Sequence, residues 1–132
     1  MSSLDKMLGI LELFAEERTG IGLEDVMALT QASRATAYRY LQSLTEAGLL
    51  APATGGAYGI GPRVIELDRL MRMTDPLLPQ AAGPMRKLSA ELHANVMLCS
   101  YYGDKVMCVD LVWPDRTVEQ SYERGRPMPM FK

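Results

Sequence analysis

Residues 33–42, Ser33-Arg34-Ala35-Thr36-Ala37-Tyr38-Arg39-Tyr40-Leu41-Gln42, crowd two guanidinium groups, two aliphatic hydroxyls, two phenols and a carboxamide into one short stretch. An arginine can grip O6 and N7 of a guanine, and a small apolar side chain such as Ala35 can meet a thymine methyl. Ser33, Thr36 and Tyr38 have hydroxyls suited to phosphate oxygens, contacts that position a protein on a duplex without reading its sequence. Between Thr30 and Thr45 there is no acidic residue, so the stretch is locally basic on a chain whose formal net charge is −2. Up to Pro62 the other basic residues are only Lys6 and Arg18. The plain structural alternative is a core helix whose arginines are simply solvated.

Cys99 and Cys108 are the second chemical candidate. If Gly103-Asp104 is a two-residue hairpin loop, Tyr102 pairs with Lys105 and Cys99 falls directly opposite Cys108. Theirs is then a non-hydrogen-bonded pair with Cα atoms about 4.5 Å apart, within reach of a disulfide. The favoured reading is two reduced, half-buried thiols of a reducing compartment; a redox switch is geometrically open. His93, the one histidine, ends a helix and reads as structural. Met97 and Met107 read as adaptable core filling, or as the lining of a small apolar pocket. The chain shows no glycine-rich phosphate loop, nucleophile elbow, metal-ligand spacing or evident Ser/His/Asp set. No enzyme, metal or cofactor is expected.

These residues need elements to hold them. Leu4, Met7, Leu8, Leu11 and Phe14 make the stripe of a first helix over about 3–17, with Ser3 as its cap. A second helix covers about 23–29, with Glu24 and Asp25 in its first turn. After a tight turn at Thr30-Gln31-Ala32, Ser33 can cap a third helix over about 34–47. At about 100° per residue, Ala37, Tyr40, Leu41 and Leu44 face one way and Ala35, Arg39 and Gln42 the other. Gly48 can stop that helix by turning left-handed. Gly55-Gly56 then tips a hairpin between two short strands, 49–53 and 58–60. Three helices and a glycine-tipped hairpin, in that order, describe a winged helix-turn-helix, whose second helix of the pair enters the major groove.

A fourth helix opens at Pro62 and runs to about 73, with the narrow stripe Val64, Leu67 and Met71. That stripe reads as a dimer seam in preference to an internal core. A linker around Asp75-Pro76 and Pro79 follows. A fifth helix spans about 80–93, with Ala81, Met85, Leu88 and Leu92 in register and a kink or restart at Gly83-Pro84. Strands are expected at 95–102, 105–112 and 117–122, with a loop from Gly125 onward.

"TAYRYLQSLTEAGLL" followed by "YGIGPRVIEL", together with the opening "SLDKMLGILELFAE", resembles the DNA-binding domain of the isocitrate-lyase regulator (IclR) family of bacterial transcription factors. "LHANVMLCSYYGDKVMCVDLV" resembles the first hairpin of that family's effector-binding domain. The resemblance implies a mainly α chain with an α+β C-terminal part: a winged helix-turn-helix over 1–62, a linker helix over 63–78 and an incomplete α/β effector-binding domain over 79–132. It implies a sequence-specific DNA-binding regulator, read as a repressor responsive to a small metabolite. It also implies homodimers or tetramers on palindromic double-stranded operators. Carried over from the resemblance, the groove-facing residues would be Arg34, Ala35, Thr36, Tyr38 and Arg39, to which the residue types themselves add Ser33 and Gln42; the wing would be residues 54–57, with backbone contacts at most, at Gly55 and Gly56, since it carries no Lys or Arg. The dimer contacts would come from Val64, Leu67 and Met71.

Two departures stand out. Gln31-Ala32-Ser33 occupies the place where the family commonly has Gly-Leu-Pro. Family members also continue beyond "GRPMPMFK", so a second reading is a truncated regulator acting as a dimerisation module without effector sensing. Residues beyond about Gln80 are then expected to be poorly satisfied alone or covered by a partner. No apolar run is long enough to cross a membrane and no secretory leader is present, which points to the cytoplasm.

Overall fold

In a computed structural model, which describes residues 1–115, 117–119 and 123–128, the chain divides into two compact units, Met1–Met71 and Arg72–Lys132. The first begins with helix α1, Ser3–Gly9, continued by a 3₁₀ turn, Ile10–Leu13. Ser2, not Ser3, is the N-cap. Its Oγ accepts the Asp5 N–H at 3.1 Å while Asp5 Oδ2 accepts the Ser2 N–H at 3.1 Å, the reciprocal pairing that satisfies two otherwise orphaned donors. The helix is shorter than the expected 3–17 because Ala15 and Arg18 exchange backbone hydrogen bonds of 3.0 and 2.9 Å and turn the chain back at Glu16-Glu17. The expected stripe shifts with it. Ile10 is fully buried, whereas Leu4, Leu8 and Leu11 are exposed.

Helices α2, Leu23–Thr30, and α3, Arg34–Glu46, lie close to their expected bounds. Gln31 makes the turn between them in the left-handed region at φ 58°. The core of this unit is Ile10, Ile21, Val26, Ala37, Leu41, Leu44 and Leu50. Each large aliphatic buried there contributes roughly 1.5–3 kcal/mol.

Gly48, at φ 79°, ends α3 in a Schellman closure: the Leu49 N–H reaches Leu44 O at 3.0 Å and the Gly48 N–H reaches Thr45 O at 2.9 Å. Strands β1, Leu50–Pro52, and β2, Tyr58–Ile60, pair antiparallel, and Ile21 bridges to Tyr58 beside them. The strands return against Gly48 at Gly61, where an added Cβ would sit 2.1 Å from Gly48 O and 2.6 Å from Leu50 O. Only glycine fits. The Arg63 N–H then donates to Gly48 O at 3.0 Å, so the Gly61-Pro62-Arg63 run ties the wing to the end of α3.

Helix α4, Arg63–Thr74, buries none of its residues. In the second unit, helix α5 spans Leu77–Leu92 without restarting at Pro84. It opens earlier than expected because Pro79 falls in the first turn, where its missing N–H would have had no helical partner. Its buried residues are Met85 and Ser89, while Leu88 and Leu92 are exposed, so the expected register of the stripe was one step off after Met85.

Strands β3, Val96–Tyr102, and β4, Lys105–Val112, form an antiparallel hairpin. The third strand is β5, Pro127–Met128, pairing with Val106 and Met107 inside the expected loop. At the expected place, Thr117 is held in a turn by Asp115 Oδ1, which accepts its N–H at 2.8 Å, and residues 118–119 form no strand. The expected remainder, 120–122, lies outside the described residues. Pro127 suits an edge strand, where an absent ladder donor is tolerated.

Candidate nucleic-acid interface

The polar residues singled out in the sequence converge on the outward side of α3. Ser33 caps the helix, its Oγ accepting the Thr36 N–H at 3.2 Å and donating to Thr36 Oγ1 at 3.1 Å. Thr36 Oγ1 in turn accepts from Arg39 Nη2 at 3.3 Å. One turn on, Gln42 Nε2 donates to the Tyr38 hydroxyl at 3.3 Å. Ser33, Arg34, Ala35, Tyr38, Arg39 and Gln42 are exposed, Thr36 half-buried, while Ala37, Leu41 and Leu44 anchor the opposite face in the core. The helix, capped at Ser33, therefore presents hydroxyls, an amide and guanidinium groups between its cap and Gln42.

One partner was not legible in the sequence. Glu24, in the first turn of α2, forms an ion pair with Arg34. Asp25 beside it pairs with Arg18 and accepts the Gly22 N–H at 2.8 Å. The face is thus less basic than the acid-free stretch 31–44 implies, because a neighbouring helix returns a carboxylate to it. Both members of the Arg34–Glu24 pair are well exposed, and such pairs contribute about 0–1 kcal/mol, so a phosphate or base can displace Glu24 at little cost. Sequence separation of ten residues gave no local signal for this contact.

At the wing tip Gly55 and Gly56 adopt φ 71° and 78° within a five-residue connection closed by the Ala53 N–H on Ala57 O at 2.8 Å. This is longer than the two-residue primed turn that a Gly-Gly pair suits. No atom lies within 4 Å of a Cβ built on either glycine, so the tip presents open backbone. On α4, Val64, Leu67 and Met71 are exposed, together with Ile65 and Leu70.

Residues 3–53 match the IclR helix-turn-helix domain. That stretch is similar to the helix-turn-helix of the IclR family. The transcriptional regulator KipR of Bacillus subtilis is 25% identical over 126 residues, covering 96% of this chain and 50% of its own length. The chain spans about half the length of the curated relatives it matches. A solved ICLR regulator from a Silicibacter species is 26% identical with a TM-score of 0.77, over 96% of this chain and 51% of that one. An IclR homolog from Microbacterium hydrocarbonoxydans, solved with 4-hydroxybenzoate, shares the fold at 22% identity and a TM-score of 0.70, over 97% of this chain and 53% of that one. The relatives matched are transcriptional regulators, not enzymes.

In the second unit an open cavity of about 340 Å³ is lined by Arg72, Asp110, Leu111, Trp113, Glu123 and Arg124. Its lining is polar and charged around one indole, and does not include Met97 or Met107. Among the described residues no helix is long and apolar enough to cross a membrane.

Proposed function

We propose that the chain is a sequence-specific DNA-binding repressor of the IclR type that works in the cytoplasm as a homodimer and answers to a small metabolite. The observation that carries this reading is the outward face of α3: Ser33, Arg34, Ala35, Thr36, Tyr38, Arg39 and Gln42 stand together on the helix that a winged helix-turn-helix inserts into the major groove. In this reading Arg39 and Arg34 reach base edges, Ser33, Thr36 and Tyr38 hold phosphates, and the Gly55-Gly56 backbone passes close to the adjacent sugar-phosphate chain. Because one subunit brings few cations, it neutralises few phosphates and binds weakly alone. Two subunits joined through Val64, Leu67 and Met71 would bind two half-sites. A small effector is supported by the family resemblance and by the 4-hydroxybenzoate held by the Microbacterium homolog. A metabolite that prefers one of two conformations would shift the population off the operator.

Selection from a randomised duplex pool tests this. The expected outcome is enrichment of an inverted repeat with two equivalent half-sites. A pool that shows no enrichment, while the chain still binds a full-length family member, would favour the interaction-module reading instead.

A further inference from the structure

Cys99 on β3 and Cys108 on β4 are paired residues, and both are free thiols. The Cys108 N–H donates to Arg126 O at 3.2 Å and its carbonyl accepts from the Gly125 N–H at 2.8 Å, both on the side away from β3. Towards β3 the pair is therefore of the non-hydrogen-bonded kind, in which Cα atoms approach to about 4.5 Å. Disulfides span Cα separations of about 4.4–6.8 Å. Side chains of directly opposed residues leave a sheet on the same face. The ladder is interrupted beside them: the register jumps between Leu98 and Cys99, leaving Val109 as the extra residue of a bulge, so the backbone can adjust locally.

The two thiols are not equivalent. Cys99 is exposed, while Cys108 is fully buried and directs its Sγ to Asp110 O at 3.4 Å. Burial first, and the adjacent Cys99 second, push the Cys108 thiol above its ordinary pKa, so it keeps its proton at neutral pH. An oxidant in solution meets Cys99 before Cys108.

We propose that Cys99 is a site of reversible oxidation by a peroxide, with Cys108 resolving it as an intramolecular disulfide. In the first step the Cys99 thiolate attacks one peroxide oxygen, the O–O bond breaks, and hydroxide leaves from hydrogen peroxide; Cys99 becomes a sulfenic acid. In the second, the Cys108 sulfur attacks the Cys99 sulfur, an S–S bond forms, and the Cys108 proton leaves with the departing hydroxide as water. Two thiols lose two electrons and two protons, and one hydrogen peroxide becomes two waters. A dithiol reductant reverses the change by thiol–disulfide exchange.

The test is intact mass and peptide mapping of the whole chain before and after stoichiometric hydrogen peroxide. Trypsin cuts after Lys87, Lys105 and Arg116, so Cys99 and Cys108 fall on separate peptides that only a disulfide can join. The expected result is a monomer that has lost two hydrogens and both alkylatable thiols, yields the linked peptide pair, and regains both thiols with dithiothreitol. In Cys108→Ser, Cys99 is expected to accumulate as a dimedone-trapped sulfenic acid; in Cys99→Ser, Cys108 stays a thiol at the same dose. Wild-type chain that keeps Cys108 alkylatable while Cys99 over-oxidises, or that links only between chains, would overturn the proposal. That reading comes from the wild type, so a variant that fails to fold does not alter it.

Discussion

Arg34 and Arg39 stand five residues apart on α3 and keep different company. Arg34 is matched by Glu24, whereas Arg39 leans on the Thr36 hydroxyl. Arg39 is therefore the residue whose loss should be felt most directly on DNA. Arg39→Ala should reduce specific affinity by roughly 1–3 kcal/mol if it reads a base, with less loss on a scrambled duplex. Equal losses on both duplexes, read by anisotropy, would assign it to phosphate instead. Gln31 is a stability prediction at the same scale. It occupies a left-handed position that costs most L-residues about 1–2 kcal/mol. Gln31→Gly should raise the urea midpoint only slightly: glycine's chain entropy offsets about 0.5–1 kcal/mol of the relief, and loss of the Gln31 Nε2–Ala28 O bond takes up part of the rest. The cap Ser33 and the stop Gly48 were legible because their signals are local. The Glu24–Arg34 pair was not, because it depends on how two helices cross.

Among the elements, those with a cap at each end were read nearly to the residue. Helix α3 has Ser33 before it and Gly48 after it, and the β3–β4 hairpin has its register set by Gly103-Asp104. Helix α1 was overrun because the Ala15–Arg18 turn carries neither proline nor glycine inside it. The stripes of α1 and α5 slipped because apolar residues there outnumber the buried positions. The box at the start of α1 has a pH consequence. Hydrogen bonds from the Ser2 hydroxyl and backbone hold the Asp5 carboxyl below the usual carboxylate range. A depressed pKa contributes stability above the unfolded value, and that contribution is lost as the pH falls through the folded value. Residues 3–9 should therefore fray in acid, below the ordinary carboxylate range, seen as faster amide exchange at Asp5 and Lys6. Ser2→Ala should fray the same turn at neutral pH and shrink the acid step, since only the Ser2 N–H then remains on Asp5.

For the whole molecule, the exposed apolar face of α4 and the sparse charge of the interface point the same way. Leu67→Glu should convert a dimer to a monomer in sedimentation and weaken operator binding at least about tenfold, through loss of the second half-site. Unchanged sedimentation would remove α4 from the seam. The wing strands and helix α4 lie close to where the order of the elements put them. The place of β5 did not, because a two-residue strand opening on a proline carries no periodicity. The most direct measurement is fluorescence anisotropy of the chain against a duplex taken from just upstream of its own gene, with a scrambled duplex and a salt series. Preferential binding whose affinity falls steeply with salt is the predicted result. Equal binding to both duplexes, or none to either, would contradict a sequence-reading face on α3.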